Sequence, residues 1–245
     1  MLKLTAVLLM LIDHIGASLY PEIFWLRLIG RLSFPIFAFL IAQGAKKTRD
    51  ISKYQNRLLI FSIVSQPPFV YFSRRVSLTT VGNLEFILKS YIPNIDMLAE
   101  YSLQGHPGFN VGFTFLFALI SIRLLKTVYG EKGSSNSGSN ILAHLFIFLL
   151  MAFSIIVNTD YSAYGIAMVI IFYVTDIYNN KIFLRLLGIL LFLLNPFSMI
   201  IQSLTIFSVL IIRKIKDKKP FILPKFFFYG FYPIHLLILG YIMRL

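Results

Sequence analysis

Four ionisable side chains, Asp13, His14, Arg31 and His235, interrupt stretches of sequence that are otherwise apolar. A charged group at the centre of a membrane-spanning helix costs roughly 2.5–3.5 kcal/mol on insertion scales, so each needs a partner or a task. An imidazole, with an ordinary pKa of about 6.5, exchanges protons at neutral pH and suits general-base work. A neighbouring carboxylate or guanidinium would set the field in which charge develops. Asp13 and His14 are adjacent, so on a helix they point about 100° apart and face different partners. His14 therefore needs its orienting group from another helix.

Helix rise brings candidates to one level. Asp13 lies ten residues beyond Lys3 and His235 ten beyond Lys225. At 1.5 Å per residue both sit roughly 15 Å from the end those lysines mark. Arg31, counted from Glu22 at the opposite end, is roughly 13 Å deep. Arg27 is one turn shallower on the same face, making a cationic stripe beside the first segment. A packing-only reading remains for each: Arg31 as a registry partner for Asp13, and Arg27 snorkelling to the interface.

These residues must be positioned by membrane-type elements. The 245 residues are 58% apolar and only 13% charged, well below the roughly 25% charged of a soluble domain. There is no cysteine, which excludes disulfides, thiolate metal sites and a cysteine nucleophile, and no metal site is expected. The net charge of +13 falls in short clusters between apolar runs. That pattern reads as topology signals, with no nucleic-acid partner expected. Asp13-His14 would interrupt the apolar region of a signal peptide, so the first segment reads as a retained helix.

The fold expected is all-α, a polytopic helix bundle forming one domain over 1–245. About nine spanning helices are marked, at 3–20, 23–44, 54–73, 108–127, 141–158, 161–178, 182–196, 198–213 and 225–244. The seventh and eighth abut at Asn195-Pro196. Lysine and arginine concentrate in alternate loops, which predicts a cytoplasmic N-terminus and a multi-pass protein of the cell membrane. The outer loop of about 74–107 reads as interfacial helices, a lid or acceptor platform. The inner loop of about 130–140, Gly/Ser-rich, reads as a flexible linker.

Further polar groups gather toward the outer end. Ser65 and Gln66 precede Pro67-Pro68, a pair expected to open its helix and free carbonyls. Asn110 and Thr114 share a face, and Asp160 with Tyr164 begins the sixth segment. These read as the lining of an outward-biased cavity or as interhelical hydrogen bonds. His144 reads as interfacial and His106 as solvated.

The run Lys3, Ala6, Met10, Asp13-His14-Ile15-Gly16, followed by Gly30-Arg31-Leu32-Ser33-Phe34-Pro35-Ile36-Phe37-Ala38-Phe39, Gly44 and Thr48-Arg49, resembles the TraX family. The likeness continues through Tyr54, Arg57-Leu58, Ser65, Asn110, Phe113-Thr114, Asp160-Tyr161 and Tyr164-Gly165, and closes at Phe231-Tyr232-Pro233-Ile234-His235-Leu236. The name-giving member of that family acetylates the N-terminus of conjugative pilin. The family is similar to multi-pass acyltransferases that use a membrane-embedded histidine and a coenzyme A donor. The resemblance thus implies acetyl-CoA as co-substrate and His14 as the histidine. Two positions depart from it: Ser162 stands where glycine is expected, and Gln66-Pro67 where an acidic residue is common.

The function expected is acetyl transfer from acyl-CoA at the cytoplasmic face to an amine or hydroxyl of an acceptor beyond the membrane. His14 is the general base, Asp13 and Arg31 set the field, and His235 is a second acid/base or the orienter of the first. Arg27, Arg31, Gln66, Asn110, Thr114, Asp160, Tyr164 and Tyr232 form the cavity set. Lys46, Lys47, Arg49, Lys53 and Arg57 would hold the nucleotide phosphates, which are too charged to enter the bilayer. The rival readings are a transporter, with the same groups as proton relay or anion site, and a non-catalytic envelope scaffold.

Overall fold

The structure is a computed structural model and describes residues 1–74, 108–129, 137–175, 181–192, 205–215 and 224–245. The expected interfacial helices beyond Arg74, His106, most of the Gly/Ser linker and the Asn195-Pro196 junction lie outside the described residues.

All named elements are helices, in the order α1 (Leu2–Ser18), α2 (Phe24–Gly30), α3 (Ser33–Lys47), α4 (Ile51–Arg74), α5 (Val111–Tyr129), α6 (Ser137–Ile156), α7 (Ser162–Val174), α8 (Lys181–Phe192), α9 (Thr205–Ile215) and α10 (Lys225–Ile242). The segment read as one helix over 23–44 is broken between α2 and α3. Pro35 explains the break. It falls in the first turn of α3, where a missing N–H costs nothing, and its ring excludes the carbonyl four residues back, that of Arg31. The break turns Arg31 out at a corner of the chain.

Pro67-Pro68 behaves differently from expectation. Both prolines lie inside an uninterrupted α4, so that helix is not opened. Neighbouring chain takes up local polar groups instead: Asn110 Nδ2 donates to the Ser62 carbonyl at 2.8 Å, and α4 is sandwiched by α5 and α10.

α3 is the central strut, packing on α1, α5, α7 and α9. Ala38, Ala42 and Ala45 are fully buried along it, and their small side chains let neighbouring backbones approach closely. Phe34 and Phe39 fill the space beside them, Phe39 edge-on to Phe172 of α7. Enlarging one of these alanines to leucine would cost about 1–3 kcal/mol by overpacking.

The outside of the bundle is apolar. On α6 Ala143, Ile147 and Ser154 are buried, whereas Ile141, Leu142, Leu145, Phe146, Phe148, Leu149 and Phe153 are exposed. A helix with one narrow buried seam and an apolar remainder is matched by lipid rather than water. Among the described residues, the run 24–47 and Val111–Tyr129 are long and apolar enough to cross a bilayer, and Asn140–Ile156, Ser162–Val174 and Phe227–Ile242 are shorter apolar helices. Among the described residues every named element is thus a helix, consistent with a membrane protein.

Two loops meet at the end of the bundle where α1 finishes and α7 begins. Phe109 N donates to the Asn158 carbonyl at 3.1 Å, and Asp160 N donates to the Phe109 carbonyl at 2.8 Å, forming a single parallel bridge. Gly108 has φ +60, and a β-carbon there would collide with the Asn158 carbonyl, so no other residue fits. Asn158, Tyr161 and Ser162 also take positive φ. Such backbone costs an L-residue about 1–2 kcal/mol and persists where its surroundings over-determine it. Here it aims Asp160 and Tyr161 back toward Arg31.

Candidate functional site

α1 carries the site on two faces. Its buried stripe includes Ala6, Met10 and Asp13, and His14 projects about 100° away, toward α10. Gly30 makes the arrangement possible on the Asp13 side. A β-carbon at Gly30 would collide with the backbone of Asp13, so glycine is what lets α2 press directly against α1.

That approach delivers two arginines to one carboxylate. Arg27 Nη1 is 3.1 Å from Asp13 Oδ2 and also donates to the Asp13 carbonyl oxygen at 3.2 Å. Arg31 Nε is 3.7 Å from Asp13 Oδ1, and Arg31 Nη1 donates to the Tyr161 hydroxyl at 2.9 Å. Asp13 is 6% exposed. Tyr161 is clamped face to face on Phe34, ring centroids 3.6 Å apart. Asp160, adjacent in the chain, lies within electrostatic reach of Arg31 and Asp13. Two carboxylates and two guanidinium groups therefore balance, and one oxygen, Asp13 Oδ1, has no hydrogen bond.

The other face is uncharged in character and aromatic. His14 Nδ1 lies 2.6 Å from His235 Nε2. The ring planes are within 10° with centroids 4.9 Å apart. At that nitrogen separation, the rings must lie edge to edge and nearly coplanar, which is the geometry of an in-plane hydrogen bond. His235 Nδ1 reaches the Phe231 carbonyl one turn back, at 2.7 Å. Phe72 of α4 and Tyr232 of α10 flank His14 at 5.3 and 6.3 Å between ring centroids. The two histidines, expected at one depth, are in contact, and His235 is 5% exposed.

The remaining polar residues of the cavity set divide. Gln66 Nε2 donates to the Gly108 carbonyl at 2.9 Å, and Gln66 Oε1 accepts from Asn110 N at 2.9 Å and Asn110 Nδ2 at 2.8 Å. Asn110 Oδ1 accepts from Gly112 N at 2.9 Å. Thr114 Oγ1 donates to the Asp160 carbonyl. Gln66, Asn110 and Thr114 are at most 1% exposed. They act as a clip that ties the 108–110 and 157–161 loops to α4 and α5. Tyr164 is buried beside Phe34, 5.9 Å between ring centroids. Tyr232 packs between Phe61 and the histidine pair.

Lys46, Lys47, Arg49, Lys53 and Arg57 are exposed at the other end of the bundle, where α3 passes into α4. Lys46 Nζ donates to the Thr175 carbonyl at 3.3 Å, Arg57 lies over the Tyr54 ring, and Lys53 pairs with Asp50 at 3.6 Å. Arg57 and Phe72 are fifteen residues apart on α4, so roughly 22 Å of helix separates the basic end from the histidines. A cleft of about 560 Å³ opens near this end between α5, α6 and α7, beside Lys126, Tyr129, His144 and Tyr173. It does not include either histidine of the pair. His144, expected at an interface, is exposed and contacts the Asn140 carbonyl at 2.6 Å and the Tyr129 hydroxyl at 3.3 Å.

Tyr161 and Phe72 join the site without being among the residues expected there. Tyr161 was visible as the companion of Asp160 in the Asp-Tyr motif, and its left-handed turn is what the local sequence did not disclose. Phe72 gave no signal, being one aromatic among 25 phenylalanines.

An uncharacterised protein of Rickettsia prowazekii, RP591, is 38% identical over 66 residues, covering 27% of this chain and 25% of that protein. A probable fimbrial assembly protein of Dichelobacter nodosus, FimC of serogroup H1, is 34% identical over 70 residues, 27% of this chain and 29% of its own length. The matched stretch thus spans about a quarter of each relative. No solved structure matches. The family described as TraX protein matches residues 1–243, nearly the full length and both histidine motifs, and the chain belongs to the TraX family.

Proposed function

We propose that this protein is a multi-pass acyltransferase of the cell membrane, N-terminus cytoplasmic, with about nine crossings. It transfers an acetyl group from acetyl-CoA to an amine or hydroxyl of an acceptor on the far side. The observation that carries this reading is the part-buried, in-plane contact of His14 with His235, on the turn of α1 that also carries Asp13 of the Asp13–Arg27–Arg31 cluster. An imidazole in a water-poor setting, oriented by a second group and set beside fixed cations, is the equipment of acyl transfer.

In the step proposed, His14 takes a proton from the acceptor as its nitrogen or oxygen attacks the thioester carbonyl. The new bond to carbon forms, negative charge gathers on the carbonyl oxygen in the field of Arg27 and Arg31, and the carbon–sulfur bond breaks. The proton on His14 then goes to the leaving thiolate. The net result is an acetylated acceptor and free thiol, with His14 returned to its starting state. The basic end offers charge for the donor's phosphates, and a long flexible thioester arm would bridge the roughly 22 Å to His14. The fimbrial assembly name of one relative makes a pilin-like peptide the first acceptor to test.

The test is transfer of label from acetyl-CoA to a synthetic pilin-like peptide by protein purified into lipid nanodiscs. Wild type should release free thiol and label the peptide, and His14→Ala should lose both while melting at an unchanged temperature. Unchanged turnover in that variant sinks the mechanism. Absence of any acyl-CoA turnover or thermal shift, together with uptake driven by an ion gradient, would establish the transporter reading instead.

A further inference from the structure

The hydrogen-bond chain at His235 has a fixed direction. The Phe231 carbonyl can only accept, so the 2.7 Å contact requires a proton on His235 Nδ1. The 2.6 Å contact between His235 Nε2 and His14 Nδ1 requires a proton on one nitrogen and a lone pair on the other. A neutral imidazole already protonated at Nδ1 has its lone pair at Nε2. His235 Nε2 therefore accepts, and His14 Nδ1 donates. What remains on His14 is an unprotonated Nε2, with no hydrogen-bond partner among the described residues.

From this geometry we infer that His235 is a positioning residue. Anchored by the Phe231 carbonyl, it holds His14 in the Nδ1–H tautomer, keeps the ring in one plane and makes Nε2 the basic atom. The sandwich supports that role. Phe231 lies nearly parallel to His235, ring centroids 4.9 Å apart and planes within 18°, and Phe72 and Tyr232 pack near His14 and restrict its rotation. Asp13, the sequence neighbour, takes no part in this selection, because its carboxylate is held by Arg27 and Arg31 on another face. When His14 Nε2 takes the acceptor's proton, Nδ1–H stays donated to His235 Nε2, so no bond of the chain must break for the base to work. A base ordered by a partner on its other nitrogen loses much of its rate when that partner is removed.

The consequence for rate rests on the general-base reading of His14, but the tautomer does not, and nitrogen NMR separates the two. The protein has four histidines, so uniformly ¹⁵N-histidine-labelled protein in nanodiscs gives few signals, and the spectrum of His14→Gln identifies the His14 pair. Wild type should show His14 with a protonated Nδ1 and a bare Nε2, and a through-hydrogen-bond coupling between His14 Nδ1 and His235 Nε2. His235→Phe should abolish the coupling and give a mixture of both His14 tautomers, with kcat reduced by roughly tenfold or more and KM little changed. His235→Gln, whose Oε1 can accept from His14 Nδ1, should restore the single tautomer and most of the rate. Wild-type His14 protonated at Nε2, or an unchanged tautomer in His235→Phe, overturns the inference. The wild-type spectrum decides even where His235→Phe does not fold. A correct tautomer with no acyl-CoA turnover would uphold the positioning role and refute the acyltransferase.

Discussion

Asp13 and His14 leave the same turn of α1 and enter unlike surroundings. The Asp13 face is a lattice of charge, in which two arginines, a tyrosine hydroxyl and a second carboxylate are gathered from α2, the α2–α3 corner and the turn before α7. The His14 face is a short chain of neutral hydrogen bonds enclosed by aromatic rings. The difference teaches that closeness in sequence is not closeness in mechanism. Asp13 spends its charge fixing the helices that frame the site, and His14 keeps a nitrogen available because no ion pair claims it.

The largest expected effect lies on the His14 face. Replacing His14 with glutamine should lower acetyl transfer by about 10²–10⁴-fold, the usual contribution of a general base. The melting temperature should stay within a few degrees, and differential scanning fluorimetry beside the turnover assay checks both. Asp13→Asn should show the reverse emphasis. Breaking a fully buried ion pair costs about 3–5 kcal/mol, and the partial exposure of the arginine side chains, 30% and 26%, lowers the expectation to about 2–3 kcal/mol. Chemical denaturation should detect that loss, with residual transfer tracking the folded fraction.

The clip that supports the charged face should come next. Gln66→Leu removes the bonds from Gln66 to the Gly108 carbonyl and the Asn110 N–H, a penalty of about 1–3 kcal/mol, and hydrogen exchange at Asn110 should accelerate. Ser162→Gly relieves a positive φ but forfeits the Ser162 Oγ bond to the Thr159 carbonyl at 2.9 Å. A gain of no more than about 1 kcal/mol is expected, measured as a small rise in melting temperature. The smallest effect belongs to Asp50, which caps α4 through the Lys53 N–H at 2.9 Å. That hydrogen bond and the Lys53 ammonium hold the Asp50 carboxyl below the ordinary carboxylate range. Because the folded value is depressed, its contribution is present above the unfolded pKa and fades as pH falls through the folded one. Asp50→Ala should therefore lower the melting temperature slightly at neutral pH and not at strongly acidic pH.

Much of this was legible in the chain itself. The separation of Asp13 from His14 follows from 100° per residue, and the shared depth of the two histidine-bearing helices from 1.5 Å per residue counted from Lys3 and Lys225; that the rings touch is a matter of how α1 packs on α10. The Arg31 corner was not legible, since 23–44 reads as one apolar run, although Pro35 supplies its local cause. Other features depend on partners that no local pattern names. Gln66 and Asn110 read equally as cavity lining or as a hydrogen-bonded pair, and the choice rests on a loop forty residues away folding back on α4. Tyr161 reaches Arg31 because it and two nearby residues, Asn158 and Ser162, adopt positive φ without being glycine, which propensity argues against. The continuity of α4 through Pro67-Pro68 comes from tertiary packing that overrides the local tendency to break.

The account stands on the two faces of α1 having different work, and one crossed measurement tests it: turnover and denaturation of His14→Gln and Asp13→Asn in the same nanodiscs. It predicts that His14→Gln loses transfer and keeps stability, whereas Asp13→Asn loses stability and keeps transfer per folded molecule. If both variants lose the same property to the same degree, or if His14→Gln turns over acetyl-CoA like wild type, the division of labour is wrong.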